Sequence, residues 1–117
     1  MSGGMETGRQ RLERARAEVE RQIAALAAEL ADVMAAARSA NADDEHDPEG
    51  ATIGFERAQV AALLAGAQRR LAEFDDALLR FDVDTYGVCE SCGLPISAER
   101  LAVLPSVRTC LACARRR

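Results

Sequence analysis

Four cysteines stand in two pairs, Cys89-x-x-Cys92 and Cys110-x-x-Cys113, with seventeen residues between the pairs. Each pair can supply two thiolates from one tight turn, and two such turns at this separation are the pattern of a four-thiolate zinc site. The segment carrying them is too short and too polar to fold on apolar burial alone, so the free energy of metal binding becomes the folding energy of the module. Four thiolates fill a tetrahedral zinc and leave no position for water, which makes the expected ion single and structural. Redox-linked disulfides and an iron–sulfur site are the alternatives for the same thiols. Gly93 directly after the second cysteine suits a knuckle. Leu94-Pro95-Ile96 and Leu101-Ala102-Val103-Leu104-Pro105 are the expected apolar shell, and Thr109 is the expected cap of a short C-terminal helix opened by Cys110.

Upstream, apolar residues recur at Leu12, Val19, Ile23, Leu26, Leu30, Val33 and Ala37, and again at Val60, Leu64, Ala67, Leu71, Phe74, Leu78 and Phe81. From Val19 onward the spacing alternates between four and three, the seam of a coiled coil. Ala37, Ala67, Arg16 and Arg57 fall on seam positions and weaken its ends. Each run covers roughly 30 residues, about 45 Å of helix at 1.5 Å per residue. Two matched seams joined by a short break predict an antiparallel hairpin, with a homodimeric coiled coil as the rival geometry. The break is expected over 39–52, where Pro48 opposes helix continuation and Thr52 can start the second helix. Five of the seven residues from Asp43 to Glu49 are acidic, more than a bland turn needs. They read either as a solvated loop or as a charged tip carried about 45 Å from the zinc module.

The organisation predicted is a disordered stretch over 1–8, the hairpin over 9–84, and the zinc-finger module with its basic tail over 85–117. The fold class is mainly α. Alanine excess, 3% aromatic and 29% charged residues agree with long helices rather than a thick core. All fifteen basic residues are arginine, a composition that suggests a GC-rich bacterial genome. The net charge of −4 argues against general, nonspecific phosphate binding. No secretory signal or membrane-length apolar run is visible, and four cysteines free for metal suit a cytoplasmic protein. His46, the only histidine, reads as a loop residue. No nucleophile–base set, phosphate loop or paired buried carboxylate is present, so no enzymatic activity is expected. Arg115, Arg116 and Arg117 form a short basic cluster, a candidate contact for an acidic surface or a polyanion.

Gly87-Val88-Cys89-Glu90-Ser91-Cys92-Gly93, followed by Ile96, Arg100-Leu101, Pro105 and the pair Cys110/Cys113, resembles the DksA/TraR family of bacterial RNA-polymerase-binding regulators. Asp47-Pro48 and Ala51-Thr52 at the hairpin break add to the likeness, which covers roughly residues 43–114. The resemblance implies a hairpin inserted into the secondary channel of RNA polymerase, with acidic tip residues directed at the active site to alter promoter-complex stability, and no sequence-specific DNA binding. Carried over, Asp47 is the first tip acid. The family's second aspartate falls on Gly50, so either Glu49 substitutes or Asp44 and Asp47 form the pair. Alarmone-responsive members have basic residues where Glu73, Leu104 and Ala114 stand here, and ppGpp binding is therefore not expected. A monomer is expected to act on polymerase. The alternatives are a zinc-ribbon coiled-coil adaptor or dimerisation protein with another partner, and a nucleic-acid binder using Arg108 and Arg115 to Arg117.

Overall fold

In the computed structural model, residues 6–43 and 48–116 are described, the side chains of 40–43 and 48–50 apart. Along them run α1 (Gly8–Asp43), α2 (Pro48–Asp82), α3 (Ala98–Val103) and α4 (Leu111–Arg115). The described residues contain no strand, only an isolated antiparallel bridge between Val88 and Pro95. No helix among them is long and apolar enough to cross a membrane.

Helix α1 begins with a reciprocal cap. The Gln10 N–H donates to Thr7 Oγ1 at 3.0 Å, and the Thr7 N–H donates to Gln10 Oε1 at 2.9 Å. Two N–H groups that the first turn would leave unpaired are thereby satisfied. Arg14 also grips Glu6 with two hydrogen bonds of 2.8 Å. The expectation of disorder over 1–8 is thus corrected for Glu6 to Gly8, because the Thr-x-x-Gln spacing supplies a cap that the apolar pattern does not register.

The expected break over 39–52 is also too wide. Helix α1 continues to Asp43, and α2 opens at Pro48 rather than Thr52. Alanine sustains a helix beyond its last seam residue, and proline is well placed at a first helical position, where its missing N–H costs nothing. Asp44, His46 and Asp47 lie outside the described residues. Glu49 belongs to the first turn of α2, with its side chain outside the description.

The chain divides into two compact units, Glu18–Arg70 and Met1–Ala17 with Leu71–Arg117. In the first, Val19, Val33, Val60 and Ala67 are buried, with Ile23, Leu26, Leu30 and Leu64 half-buried beside them. Arg70 donates to Gln22 Oε1 between the two helices. In the second, Leu12 and Ala77 are fully buried, and Leu71, Phe74, Leu78 and Phe81 are half-buried. The predicted seam is therefore the interhelical core. Ala77, three residues after Phe74, widens it because α2 there also meets the loop before α4, through a hydrogen bond from Arg80 to the Ser106 carbonyl.

Two ion pairs report the register of the second unit. Arg9 pairs with Asp82, and Arg16 with Asp75. Seven residues forward on α1 correspond to seven backward on α2, as antiparallel helices require. Arg16, expected to weaken the seam, instead spans it. Close approach explains Gly8, since a Cβ there would lie 3.1 Å from Phe81 Cε2. Phe81 in turn packs on Tyr86 with ring centroids 5.0 Å apart.

Candidate metal centre

Helix α2 is closed by two amides turning back, Thr85 N–H and Tyr86 N–H donating to the Arg80 carbonyl at 2.8 and 3.2 Å. The chain then makes a narrow hairpin-like knuckle. Ile96 N–H donates to Gly87 O at 2.7 Å, Cys89 N–H to Leu94 O at 2.8 Å, and Gly93 N–H to Cys89 O at 2.9 Å. Gly87 (φ 83°) and Gly93 (φ 76°) hold the left-handed conformations that this reversal needs, which side chains resist.

The second knuckle is tied to the first where Glu90 N–H donates to the Arg108 carbonyl at 2.9 Å. Cys110 follows in extended conformation as the N-cap residue of α4, and Ala114 N–H returns to its carbonyl at 3.0 Å. Thr109 therefore does not cap the helix, which starts one residue later than expected. Its carbonyl accepts from Arg100 Nε at 3.0 Å instead. Helix α3, unforeseen from the spacing, is capped by Ser97, whose Oγ accepts from Arg100 N–H.

These turns bring the four sulfurs within 4.8 Å of one another. Zinc–sulfur bonds of about 2.3 Å at tetrahedral angles separate sulfurs by roughly 3.8 Å, and Cys92 Sγ lies 3.8 Å from Cys110 Sγ. A disulfide would need about 2.05 Å, and all four thiols are free. Donor chemistry points the same way. Backbone N–H groups of Cys110, Cys92 and Ser91 outweigh desolvation and lower the Cys89 thiol to about 6. The Cys110 thiol is lowered chiefly by the nearby Cys113 N–H, an electrostatic contact short of capping geometry. Cys113 is pushed up to about 12, first by the neighbouring sulfurs of Cys110 and Cys89 and then by burial. A cluster that readily forms its first thiolates and resists the last is one that a divalent cation completes. The residues fit one structural zinc ion.

Around the thiolates the apolar shell is thinner than expected. Cys89, Cys113 and Ile96 are buried, with Leu101 and Val107 packed against them. Leu94, Val103 and Leu104 are exposed; in α3 only one face can meet the knuckles, and Leu101 rather than Val103 occupies it. What holds the second knuckle in place is polar. Tyr86 Oη donates to Pro105 O at 2.8 Å, Arg80 donates to Ser106 O at 3.2 Å, and Arg108 pairs with Asp76, which also pairs with Arg80. Burial raises the Tyr86 phenol above its ordinary range. Sequence reading missed this set. The one available signal was a lone tyrosine beside the first cysteine pair, since a half-buried phenol needs an acceptor.

Other candidate residues fare differently. Glu73 and Leu104, two of the three positions at which the resemblance argued against ppGpp, line one cleft of about 310 Å³ together with Glu90 and Arg108. Arg115 ends α4 and Arg116 follows it, both exposed. Arg117 lies outside the described residues.

Fold and site together define a two-helix hairpin joined to a C4 zinc finger. Residues 84–117 match the family described as the prokaryotic dksA/traR C4-type zinc finger. The solved structure of transcription factor DksA2 from Pseudomonas aeruginosa superposes with a TM-score of 0.79 at 27% identity, over 93% of this chain and 78% of that one. The chain thus carries a DksA/TraR-type zinc finger on a DksA-like fold, as the motif resemblance implied. An uncharacterised protein of Aquifex aeolicus is 46% identical over 44 residues, 38% of this chain. The uncharacterised protein YteA of Bacillus subtilis is 35% identical over 69 residues, 59% of this chain. The matches span only 30% and 29% of those two proteins' lengths.

Proposed function

We propose that this chain is a transcription regulator that binds bacterial RNA polymerase directly, as a monomer, and enters its secondary channel with the α1–α2 end of the hairpin. Asp44, Asp47 and Glu49 are the acids directed toward the active site, where they change the lifetime of promoter complexes. The zinc finger serves as the folded base and takes no part in chemistry. The observation that carries this reading is the joint match. The likeness to a transcription factor extends across hairpin and finger together, over 93% of the chain. A net charge of −4 agrees with action through protein rather than through DNA phosphates.

No response to ppGpp is part of the same proposal. The cleft that holds Glu73 and Leu104 presents the carboxylates of Glu73 and Glu90. Its one guanidinium, Arg108, is already engaged by Asp76 and Glu90. A highly anionic nucleotide gains little from such a surface.

The test has two arms. Purified zinc-loaded protein should bind core polymerase at micromolar concentration and be displaced by another secondary-channel protein; failure to bind sinks the proposal. In a transcription assay on a short-lived promoter complex, Asp44→Asn/Asp47→Asn/Glu49→Gln should retain polymerase affinity and lose regulation. A neutral tip that still regulates would show that the acids only solvate the turn. Adding ppGpp should change neither arm.

A further inference from the structure

Between α1 and α2, within the unit Glu18–Arg70, lies an open groove of about 410 Å³. Ala25, Leu26, Ala62, Leu63 and Gly66 line it, and at one end stands Arg70, donating to Gln22 Oε1 at 3.1 Å. Leu63 is 54% exposed, although Val60 and Ala67 on the same helix are buried in the seam. One exposed leucine is ordinary, but the glycine beside it calls for a cause. Gly66 sits inside α2, where glycine destabilises a helix relative to alanine. Its φ is not left-handed. An added Cβ would meet only the side-chain ends of Arg69 and Arg70, at ordinary contact distances of 3.6 and 3.7 Å. Nothing within the chain therefore requires a glycine here, while a missing side chain lets another backbone approach closely.

The charges flanking the groove indicate whose backbone that is. The Arg70–Gln22 bond puts these two residues at one level. Four residues forward on α1 and four back on α2 then bring Leu26 level with Gly66. Glu29 comes three residues after Leu26 on the same side of α1, so it flanks the groove at the end opposite to Arg70. Among the described residues no ion pair engages Glu29, whereas Glu18, beyond Gln22, is already paired with Arg21. A second copy turned end for end about a twofold axis at Gly66 sets the Glu29 carboxylate of each chain beside the Arg70 guanidinium of the other, with the two glycines face to face. A parallel copy would set Glu29 level with the aliphatic Leu63 instead. Duplex DNA would leave the leucines unused and meet a net negative charge.

We propose that this groove is a self-association site, through which two copies of the chain pack their hairpins antiparallel into a reversible four-helix dimer. A contact about two helical turns long is small for a stable dimer, so half-dissociation falls at roughly 10–100 µM. The monomer that acts on polymerase is then the dissociated form, and that link alone rests on the reading above.

The experiment is sedimentation equilibrium of the full zinc-loaded chain from about 1 to 300 µM, at low and at physiological salt. The parent should pass from monomer to dimer across this range. Gly66→Leu, a better helix former that fills the gap, and Glu29→Arg should each weaken association at least about tenfold, with helicity by circular dichroism retained. The Glu29→Arg effect should shrink as salt rises. Glu29→Arg/Arg70→Glu should restore association to within about threefold of the parent, because each reversed charge meets the other across the twofold axis. A parent that stays monomeric throughout, a dimer that neither single variant weakens, or a charge swap that restores nothing would overturn the proposal. Loss of polymerase binding by Gly66→Leu in a chain that never self-associates would assign the groove to polymerase and refute it as well. A parent dimer that fails to bind polymerase leaves self-association standing and removes only the polymerase reading.

Discussion

Leu12→Ala removes three carbons from a side chain with no solvent exposure, the largest apolar one so placed along the hairpin. At about 0.8 kcal/mol per buried carbon the lost transfer free energy is about 2.4 kcal/mol. Whatever void remains adds about 1 kcal/mol for every 40 Å³ that fails to close. Collapse is limited here, because Gly8 one turn away already lies against the Phe81 ring, and the Arg9–Asp82 and Arg16–Asp75 pairs bracket the site. The expected cost is therefore about 3 kcal/mol, a large part of the roughly 5–15 kcal/mol that stabilises a small domain. Leu79→Ala is the internal control. Leu79 is 64% exposed, so the same chemical change should cost less than about 1 kcal/mol. Urea unfolding followed by far-ultraviolet circular dichroism, with zinc in excess and the slope checked for constancy, measures both. Equal costs for the two leucines, or less than about 1 kcal/mol at Leu12, would refute the packing described for this end of the hairpin.

Three further outcomes follow from the same structure. Cys92→Ser should bind less than one zinc per chain and lose the order of the finger, while the helicity of residues 18–70 largely survives; full zinc content would count against a four-thiolate site. Thr7→Ala should cost about 1 kcal/mol by unpairing the first-turn amides of α1, and Thr7→Ser should restore most of it, with thermal or urea unfolding as the readout. Tyr86, the only tyrosine, should ionise above the ordinary phenol value of about 10, because burial disfavours the phenolate. Its folded-state value is raised, so the stability it contributes is complete below the unfolded value and is lost as pH rises through the folded one. Phenolate absorbance in a spectrophotometric titration of the zinc-loaded protein checks this, and a midpoint at or below that of the unfolded chain would contradict the burial of Tyr86 against Phe81.

Local chemistry made much of this molecule legible in advance. Cys-x-x-Cys puts two thiolates on one turn whatever surrounds it, so the ligands were readable from spacing. A four–three alternation of apolar residues marks one helix face, and the residues on it are the buried and half-buried ones found, from Val19 to Phe81. Misreadings arose where backbone capacity, rather than side-chain pattern, decided the outcome. Pro48 can open a helix as readily as end one, Thr7 caps through a spacing that carries no apolar signal, and Cys110 occupies the cap position assigned to Thr109. Leu94, Val103 and Leu104 looked like core because they are aliphatic. Val103 is exposed because a six-residue helix turns only one face inward and Leu101 takes it, while Leu94 and Leu104 lie outside that helix.

By itself, then, the sequence determined the metal ligands, the two helices and the face each turns inward, since these depend on contacts within a few residues. Only the tertiary structure decided how the pieces register. Periodicity names a face but no axial offset, and only the folded chain shows which residues meet, Arg9 with Asp82 and Arg16 with Asp75. Likewise, the acceptors that hold the second knuckle are the carbonyls of Pro105 and Ser106. Every residue carries such a carbonyl, so no residue type could announce them, and they became specific only when folding brought Tyr86 and Arg80 within reach.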